Sequence, residues 1–338
     1  MSGWLILDKP LGLGSTQAVG AVKRALRSGG YAKTKVGHGG TLDPLATGVL
    51  PIALGEATKL AGRMLDASKV YEFTIGFGVE TATLDGEGAV AERSDARPTL
   101  AAIEAVLPRF TGPIEQIPPK YSALKIDGRR AYDLARAGEP VEMTTRGVTV
   151  HGLFTKSSPR AAGGGGPLGD SQVVEGPPRS GGCTAAPSTT DFVGGPPPRA
   201  GEDLQEITLQ AHVSKGTYIR SLARDIARAL DCFGHVTMLR RLRAGPFALD
   251  SAISLDRLAE LGHGAALEEA LLPIEAGLDD IPALPLTPGE AIAVRQGRLL
   301  SGIAADDGLK LARDEENIPV ALVEITGGDL RIVRGFNL

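Results

Sequence analysis

The chain has 338 residues, of which 42% are hydrophobic and 22% are charged, and its formal net charge is −4. That length is enough for about two domains with a buried core. Cys183 and Cys232 are too few for a disulfide framework or a structural zinc site. The N-terminus lacks a signal-peptide pattern, and no uncharged apolar run reaches the roughly 18 residues of a membrane span. We therefore expect a soluble cytoplasmic protein with no metal.

Apolar periodicity predicts the regular elements of the first 230 residues. The pattern indicates strands at 4–10 and 70–80, and helices at 17–28, 99–110 and 219–230. Ser15 or Thr16 is the expected cap of the first helix, since a hydroxyl can accept from its free N–H groups.

A segment rich in glycine and proline interrupts this pattern. Residues 156–203 hold 11 Gly and 8 Pro, and they cannot bury enough apolar surface to offset the cost of ordering. The flanking stretches 146–154 and 206–214 alternate apolar and polar residues, which predicts two strands of a hairpin. We expect a disordered insertion at the hairpin turn, which the fold tolerates because loop-closure entropy grows slowly with length.

Beyond about residue 280 the pattern changes to short strand-like pieces, AIAVRQGRLL, GLKLAR, IPVALVEI and DLRIVRGF, which follow the segment IPALPLTP. Strands and helices interleave irregularly along the whole chain, which indicates an α+β fold. We expect a first domain at 1–278, containing the insertion, and a small β-rich domain at 279–338.

The charges are distributed unevenly. Basic residues gather at 17–37, 120–136 and 212–243, whereas acidic residues gather elsewhere, for example at Glu268–Glu269, Asp279–Asp280, Asp306–Asp307 and Asp314–Glu316. Such asymmetry suits an anionic ligand on one face of a mildly acidic protein.

The stretch around Asp43 is a candidate site. Gly39 and Gly40 precede this aspartate and Pro44 follows it, so the backbone can approach a ligand and the conformation beside the carboxylate is fixed. The pattern also fits a plain turn in which Asp43 bonds to its own backbone. Residue types alone leave both interpretations open.

Three further stretches are rich in functional polar residues. They are 69–88, with Tyr71 and Asp85; 116–138, with two lysines and three arginines; and 214–230, where Arg220 follows a Lys-Gly-Thr turn suited to a phosphate. Each alone fits ordinary packing or a solvated surface.

Taken in order, these stretches resemble a known family. GHGGTLDPLATGVLP, KVYEFTIGFG, PPKYSALKIDGRRAYDLAR, SKGTYIRSLARDIA and LRRLRAGPF are similar to the TruB family, the bacterial tRNA pseudouridine-55 synthases. The resemblance runs from residue 4 to about 258. It departs from the family at Gly14, where Thr is usual, at Val213, where Cys is common, and in the insertion.

The resemblance implies an isomerase that converts uridine to pseudouridine in the T-arm loop of tRNA. It implies a catalytic domain with a mixed, largely antiparallel sheet flanked by helices, followed by a PUA-like RNA-binding domain. Neither a cofactor nor an obligatory protein partner is expected, and the chain is expected to be a monomer.

Residue by residue, the resemblance assigns Asp43 as the catalytic carboxylate, Tyr71 as the aromatic wall and candidate base, and Arg220 as the partner of Asp43. Further residues are assigned to substrate or RNA binding, namely His38, Lys69, Asp85, Lys215 and Leu239.

These residue types suit the chemistry. A carboxylate can act as nucleophile, or as a base that starts elimination from the ribose. A neighbouring arginine favours the charged form of Asp43, and a weak base must take the C5 proton. Which of the two steps Asp43 performs stays open.

Two other interpretations remain. The archaeal and eukaryotic relative inside a guide-RNA particle shares the aspartate motif, and its activity depends on guide RNA and partner proteins. An RNA-binding folding aid, with catalysis secondary or lost, is the alternative from another class.

Overall fold

A computed structural model of the protein describes residues 1–126, 128–156, 203–263 and 267–338. Its helices are α1 (Ser15–Ser28), α2 (Ala61–Asp66), α3 (Leu100–Val106), α4 (Ala131–Arg136), α5 (Ile219–Ala229), α6 (Leu255–His263) and α7 (Pro288–Arg295). Its strands are β1 (Gly3–Lys9), β2 (Val36–His38), β3 (Ala46–Leu54), β4 (Lys69–Phe77), β5 (Val79–Thr81), β6 (Val90–Arg93), β7 (Gly112–Gln116), β8 (Lys125–Ile126), β9 (Arg129–Arg130), β10 (Arg146–Thr155), β11 (Glu206–Val213), β12 (Gly234–Ala244), β13 (Phe247–Ala248), β14 (Ala283–Pro285), β15 (Gly308–Arg313), β16 (Pro319–Thr326) and β17 (Asp329–Gly335).

The central sheet has nine strands in the order β1-β3-β12-β4-β11-β10-β7, with β2 paired to β3 and β13 paired to β12. Strands β3 and β12 run parallel, whereas the other pairs are antiparallel. Alternate side chains of β4 and β11 form the core beneath α3 and α5, as shown by the buried residues Phe73, Ile75, Leu209, Leu222 and Ile226. The expected α+β fold with a mixed, largely antiparallel sheet is confirmed.

The hairpin predicted around the insertion is present, because β10 and β11 pair antiparallel with Thr155 opposite Leu209. At the start of the predicted insertion, the Lys156 N–H donates to the Thr208 carbonyl at 3.1 Å. At its end, Asp203 forms an isolated antiparallel β-bridge with Thr99. Apart from Lys156 and Asp203, the predicted insertion lies outside the described residues.

The expected cap of the first helix is wrong. Gly14 occupies the cap position, and the Gln17 side chain accepts its N–H at 2.8 Å. Ser15 is buried instead, and its hydroxyl accepts from the N–H of Leu42 at 2.8 Å and donates to the Leu42 carbonyl at 2.9 Å. The hydroxyl therefore ties α1 to the loop before Asp43.

The C-terminal region forms a four-stranded sheet in the order β14-β15-β16-β17, which confirms a β-rich end of the chain. The segment AIAVRQGRLL was expected to be strand-like, and this is wrong: its first half lies in α7. Thr287 and Glu290 form a capping box and Pro288 starts the helix, a signal that outweighs apolar alternation. The segment IPALPLTP contains β14 and so belongs to this sheet.

The C-terminal sheet packs on the N-terminal part of the chain through apolar contacts. Leu311, Leu322 and Phe336 share one buried cluster with Trp4 of β1. The domain boundary at 278/279 stays a prediction. Within the described residues, no helix is both long and apolar enough to cross a membrane.

The sheet register gathers the candidate site residues at one place. Leu239 of β12 lies opposite Ala46 of β3 and opposite Phe73 of β4, and Arg241 lies opposite Tyr71. Because β3 starts three residues after Asp43, the register brings the Asp43 loop beside Tyr71 and Leu239.

Candidate active site

A cleft of about 530 Å³ opens where β3, β4, β12 and the start of α5 meet. Six of the residues predicted from the sequence line it: Asp43, Lys69, Tyr71, Lys215, Arg220 and Leu239. The other two, His38 and Asp85, lie outside its lining. The predicted residues are spread over about 200 positions of sequence, and the fold brings most of them together.

The backbone of the Asp43 loop is held on both sides. Ser15 fixes the N–H and carbonyl of Leu42. The buried Lys9 ammonium donates to the Pro44 carbonyl at 3.3 Å, and the Ala46 N–H donates to the Asp43 carbonyl at 3.0 Å. The loop thus presents the Asp43 side chain, which is 42% exposed.

Gly48 shows why a glycine follows this loop. Its φ is +100°, and a Cβ atom there would lie 2.2 Å from the Arg241 carbonyl oxygen. Any side chain would therefore separate β3 from β12 at the base of the cleft.

Arg220 holds the Asp43 carboxylate. The guanidinium is 7% exposed, and Nη2 lies 2.8 Å from Asp43 Oδ2. The same Nη2 donates to the Tyr121 carbonyl at 3.0 Å, and Nη1 donates to the Thr83 carbonyl at 2.9 Å. Since Arg220 is the second residue of α5, the strand-to-helix turn places it in the cleft wall as the sequence predicts.

Asp85 binds the opposite side of the same guanidinium. Its Oδ2 lies 3.2 Å from Arg220 Nη1, and its side chain is 9% exposed. Asp85 thus stands behind Arg220, in a small cavity that Asp43 and Leu239 also line. With Asp43 in front and Asp85 behind, the four terminal N–H groups of Arg220 have four acceptors.

Arg241 is a second buried cation at the site, which the sequence analysis left without a role. It is 1% exposed, and its guanidinium donates to main-chain carbonyls of Val49 at 2.7 Å, Gly40 at 3.1 Å and Thr41 at 3.4 Å. The Gly40 and Thr41 bonds brace the Asp43 loop from beneath. The run LRRLR gave no signal for this, because alternation places Arg241 and Arg243 on one face and a bulge between them leaves Arg241 buried and Arg243 exposed.

Burial and Arg241 both act on two lysines of the site. The pKa of Lys9 is lowered to about 8 by burial, with Asp43 opposing and Arg241 adding to the effect, and that of Lys69 is lowered to about 8 by burial and then by Arg241. Of the two lysines, Lys69 is the one that the sequence assigned to substrate or RNA binding. Its ammonium donates to the carbonyls of Leu65 and Ala67. It therefore anchors the end of α2 at the cleft rim.

The walls of the cleft are apolar and aromatic. Tyr71 and Leu239 are partly buried and pack against two core clusters at once. Tyr218 also lines the cleft, and burial raises the pKa of its phenol, as does the nearby Asp43 carboxylate. Tyr218 was missed, although it lies in the quoted motif SKGTYIR, because a single tyrosine reads as ordinary packing.

His38 and Lys215 lie at the margins. His38 is on β2, where its Nδ1 accepts from the Gly40 N–H at 3.4 Å, and burial followed by Arg241 lowers its pKa. Lys215 is 64% exposed at the rim, paired with Asp66. Their positions suit contacts with a ligand larger than the cleft.

Two of the three basic stretches form exposed surfaces. Exposed cations of 17–37 and 120–136 are Lys23, Arg24, Arg27, Lys33, Lys35, Lys120, Lys125, Arg129, Arg130 and Arg136. The third stretch, 212–243, differs. Arg220 and Arg241 are buried, and further arginines pair with acids at 2.7 to 2.8 Å, namely Arg224 with Asp225, Arg228 with Glu80 and Arg240 with Asp8. In the described part of the chain, no group of three His, Cys, Asp or Glu side chains is placed to hold a metal ion.

Solved structures show which fold this is. The chain matches "Structure of H/ACA RNP bound to a substrate RNA containing 2'-deoxyuridine" with a TM-score of 0.65 and 21% identity, over 99% of this chain and 85% of that one. It matches "Crystal Structure of a Cbf5-Nop10-Gar1 Complex" with a TM-score of 0.64 and 24% identity, over 99% and 85%. The chain therefore shares the fold of these solved structures.

Sequence comparisons show to which protein family the chain belongs. Residues 27–160 match the N-terminal domain of the TruB family pseudouridylate synthases, and 220–279 match the C-terminal domain of tRNA pseudouridylate synthase B. The chain is 57% identical to the tRNA pseudouridine synthase B of Novosphingobium aromaticivorans, over 100% of this chain and 98% of the relative. It is 52% identical to that of Zymomonas mobilis, over 100% and 96%. The chain belongs to the TruB family of tRNA pseudouridine synthases.

Proposed function

We propose that this protein isomerises the uridine at position 55, in the T-arm loop of tRNA, with Asp43 as the catalytic carboxylate. One observation carries the proposal: the Asp43 carboxylate is 42% exposed in the cleft while the Arg220 that holds it is 7% exposed. The Asp43 carboxylate is thus held by Arg220 on one side and exposed to the cleft on the other. That arrangement suits attack on, or proton removal from, a bound ribose.

The reaction balances without an added reactant. The C1′–N1 bond of uridine breaks, the uracil turns, and a C1′–C5 bond forms, while C5 loses a proton and N1 gains one. Asp43 serves the first step, and the apolar walls, Tyr71 and Leu239, retain the detached uracil. The Tyr71 phenol is the candidate for removing the C5 proton, since it faces the same cleft.

The cleft accepts one nucleotide and not a stacked helix. Its volume of about 530 Å³ lies in the usual range of small-molecule sites, so the target base must leave the RNA stack, at a cost of a few kcal/mol. The exposed cations of 17–37 and 120–136 offset that cost by binding phosphates. In the second stretch Arg130 and Arg136 lie 5.8 and 5.6 Å from the ring centre of Tyr132, a surface suited to RNA.

The relatives favour a single enzyme over a guide-RNA particle. Proteins that share 57% and 52% of its residues are named tRNA pseudouridine synthase B, whereas the structures titled as ribonucleoprotein or multi-protein complexes share 21 to 24%. We therefore expect the chain to act on tRNA as a monomer in the cytoplasm, without guide RNA, partner protein, metal or cofactor. The four-stranded C-terminal sheet is the proposed PUA-like RNA-binding domain.

The test is tritium release from C5-labelled uridine in unmodified tRNA, with the purified chain alone. Release is expected from tRNA with uridine at position 55 and not from a tRNA with cytidine there. Asp43→Asn should abolish release, by at least about 10³-fold, because the amide removes the charge. Its tRNA affinity should stay within about threefold.

Asp95→Asn is the matched control, since Asp95 is exposed in the loop after β6 and does not line the cleft, and its release rate should equal that of the unchanged protein. Tight tRNA binding without release from either RNA would instead favour an RNA-binding folding aid. Release that requires guide RNA would favour the particle enzyme. Loss of tRNA binding in Asp43→Asn would make Asp43 a structural residue.

A further inference from the structure

The turn that carries Asp85 is held in a strained conformation. Leu84 has a φ of +64° although it is neither glycine nor asparagine, and its side chain is 6% exposed. Its N–H donates to the Thr81 carbonyl at 3.0 Å, and its carbonyl accepts from the Val236 N–H of β12 at 3.0 Å. The Thr81 hydroxyl closes the turn on the Asp85 carbonyl at 2.6 Å. A strained conformation persists where its surroundings over-determine it, and such sites cluster at functional centres.

Thr83, at the centre of this turn, contacts both members of the ion pair behind Asp43. Its carbonyl accepts Nη1 of Arg220 at 2.9 Å. Its hydroxyl donates to Asp85 Oδ1, which also accepts the Glu87 N–H at 3.1 Å. Asp85 is thereby left with its other oxygen, Oδ2, facing Arg220 Nη1 at 3.2 Å.

We infer that Thr83 is a positioning residue for the reaction: its carbonyl and hydroxyl together fix Arg220 and Asp85, and through Arg220 the carboxylate of Asp43. This inference rests on the proposed function of Asp43. The hydroxyl determines which oxygen of Asp85 meets Arg220, because a carboxylate held at one oxygen by two donors cannot rotate. The carbonyl takes one Nη1 hydrogen, so the guanidinium cannot turn away from Asp43.

The backbone at Gly88 packs against Thr83 and restrains it. A Cβ atom on Gly88 would lie 2.5 Å from Thr83 Oγ1 and 2.6 Å from Thr83 N. The two halves of the loop between β5 and β6 therefore pack on each other at the threonine. A hydroxyl restrained in this way supports the site without touching the substrate, since Thr83 does not line the cleft.

The test is Thr83→Val, which keeps the shape and the carbonyl and removes the hydroxyl. We expect kcat for tritium release to fall about tenfold, since one hydrogen bond to a charged acceptor is lost, while KM for tRNA stays within about twofold. Thr83→Ser should restore kcat to within about threefold of the unchanged protein. Thr208→Val is the matched control, because it removes a threonine hydroxyl bonded to Thr74 at 2.9 Å in the central sheet, outside the cleft, and it should leave kcat unchanged.

A second readout does not depend on activity. The four bonded Nη hydrogens of Arg220 should give separate, slowly exchanging NMR signals in the unchanged protein, and Thr83→Val should merge or broaden them. Unchanged kcat and unchanged Arg220 signals in Thr83→Val would overturn the inference, as would equal losses in Thr83→Ser. If the unchanged protein releases no tritium but its Arg220 signals depend on the Thr83 hydroxyl as expected, the proposed function fails and the positioning of Arg220 stands.

Discussion

Two buried arginines serve the Asp43 loop in different ways. Arg220 and Arg241 are both buried. Arg220 lies between two carboxylates, Asp43 at 2.8 Å and Asp85 at 3.2 Å, whereas Arg241 donates to main-chain carbonyls of Val49, Gly40 and Thr41. The first positions a side chain, and the second positions the backbone that carries it.

The two arginines also differ in how their charges act on neighbouring titratable groups. The charge of Arg220 is offset locally by two acids, although it also acts to lower the pKa of Tyr218. Arg241 has carbonyl dipoles as partners, and after burial, which is the larger cause, its charge lowers the pKa of Lys9, Lys69 and His38. One buried cation thus orients the carboxylate, and the other adds positive potential to the site, which suits a polyanionic ligand.

The largest effect that distinguishes Arg220 from Arg241 is the loss of turnover expected on substitution of Arg220. Arg220→Lys keeps the charge and loses the planar fork that spans Asp43, Asp85 and two carbonyls. We expect kcat for pseudouridine formation to fall about 10³-fold, because Asp43 loses its fixed orientation. Single-turnover tritium release measures this effect, and tRNA affinity should change little.

Arg228→Lys is its matched control. Arg228 lies on the same helix, α5, and forms two bonds to Glu80 at 2.7 and 3.0 Å. This substitution should leave turnover within about twofold. Equal losses at both positions would mean that α5 needs its ion pairs for folding, and that Arg220 has no special link to Asp43.

Local patterns predicted much of the fold. The alternation at 70–80 and the apolar stripe at 219–230 correspond to β4 and α5, since each buries one face. The helix at 288–295 was missed because its signal is a cap, Thr287 with Glu290, and not an apolar stripe. Ser15 was misplaced because a hydroxyl at a helix start bonds equally well to the helix or to a neighbouring loop.

The site depends on contacts that no local pattern contains. Asp43 and Arg220 are far apart in sequence and meet through the order of strands β3, β12 and β4, so the resemblance to a family supplied their pairing. Within the basic stretch 212–243, burial of Arg241 and exposure of Arg243 follow from a bulge in β12 between them, since strict alternation would put both on one face. Their charges look the same in the sequence, and the sheet gives them opposite surroundings.

A smaller effect, on stability, is expected at Arg241. Arg241→Met leaves three carbonyls without a donor, and at about 1 kcal/mol each it should lower the free energy of unfolding by about 3 kcal/mol. The pKa of His38 should rise toward its ordinary value, because Arg241 lowers it. Thermal unfolding measures the first change, and NMR titration of the histidines measures the second.

Arg241→Lys separates the two contributions of this residue. It keeps the charge, so the pKa of His38 should stay low, while the lost carbonyl contacts still reduce stability. A pKa of His38 that is unchanged in Arg241→Met would show that burial alone sets it, and the contrast between the two arginines would then concern hydrogen bonding only.

The smallest effect is on the pH dependence of folding. Lys9 and Lys69 titrate at about 8 in the folded chain, against an ordinary value of 10.5. Between these values the unfolded chain binds more protons than the folded one, so stability should rise from pH 8 to 10 and be flat below about 7. Tm should follow this rise, by a few degrees in all.

Lys69→Met should reduce the slope of Tm against pH by about half, whereas Lys125→Met, at an exposed lysine, should leave that slope unchanged. A Tm that does not rise between pH 8 and 10 would mean that both ammonium groups stay charged in the fold.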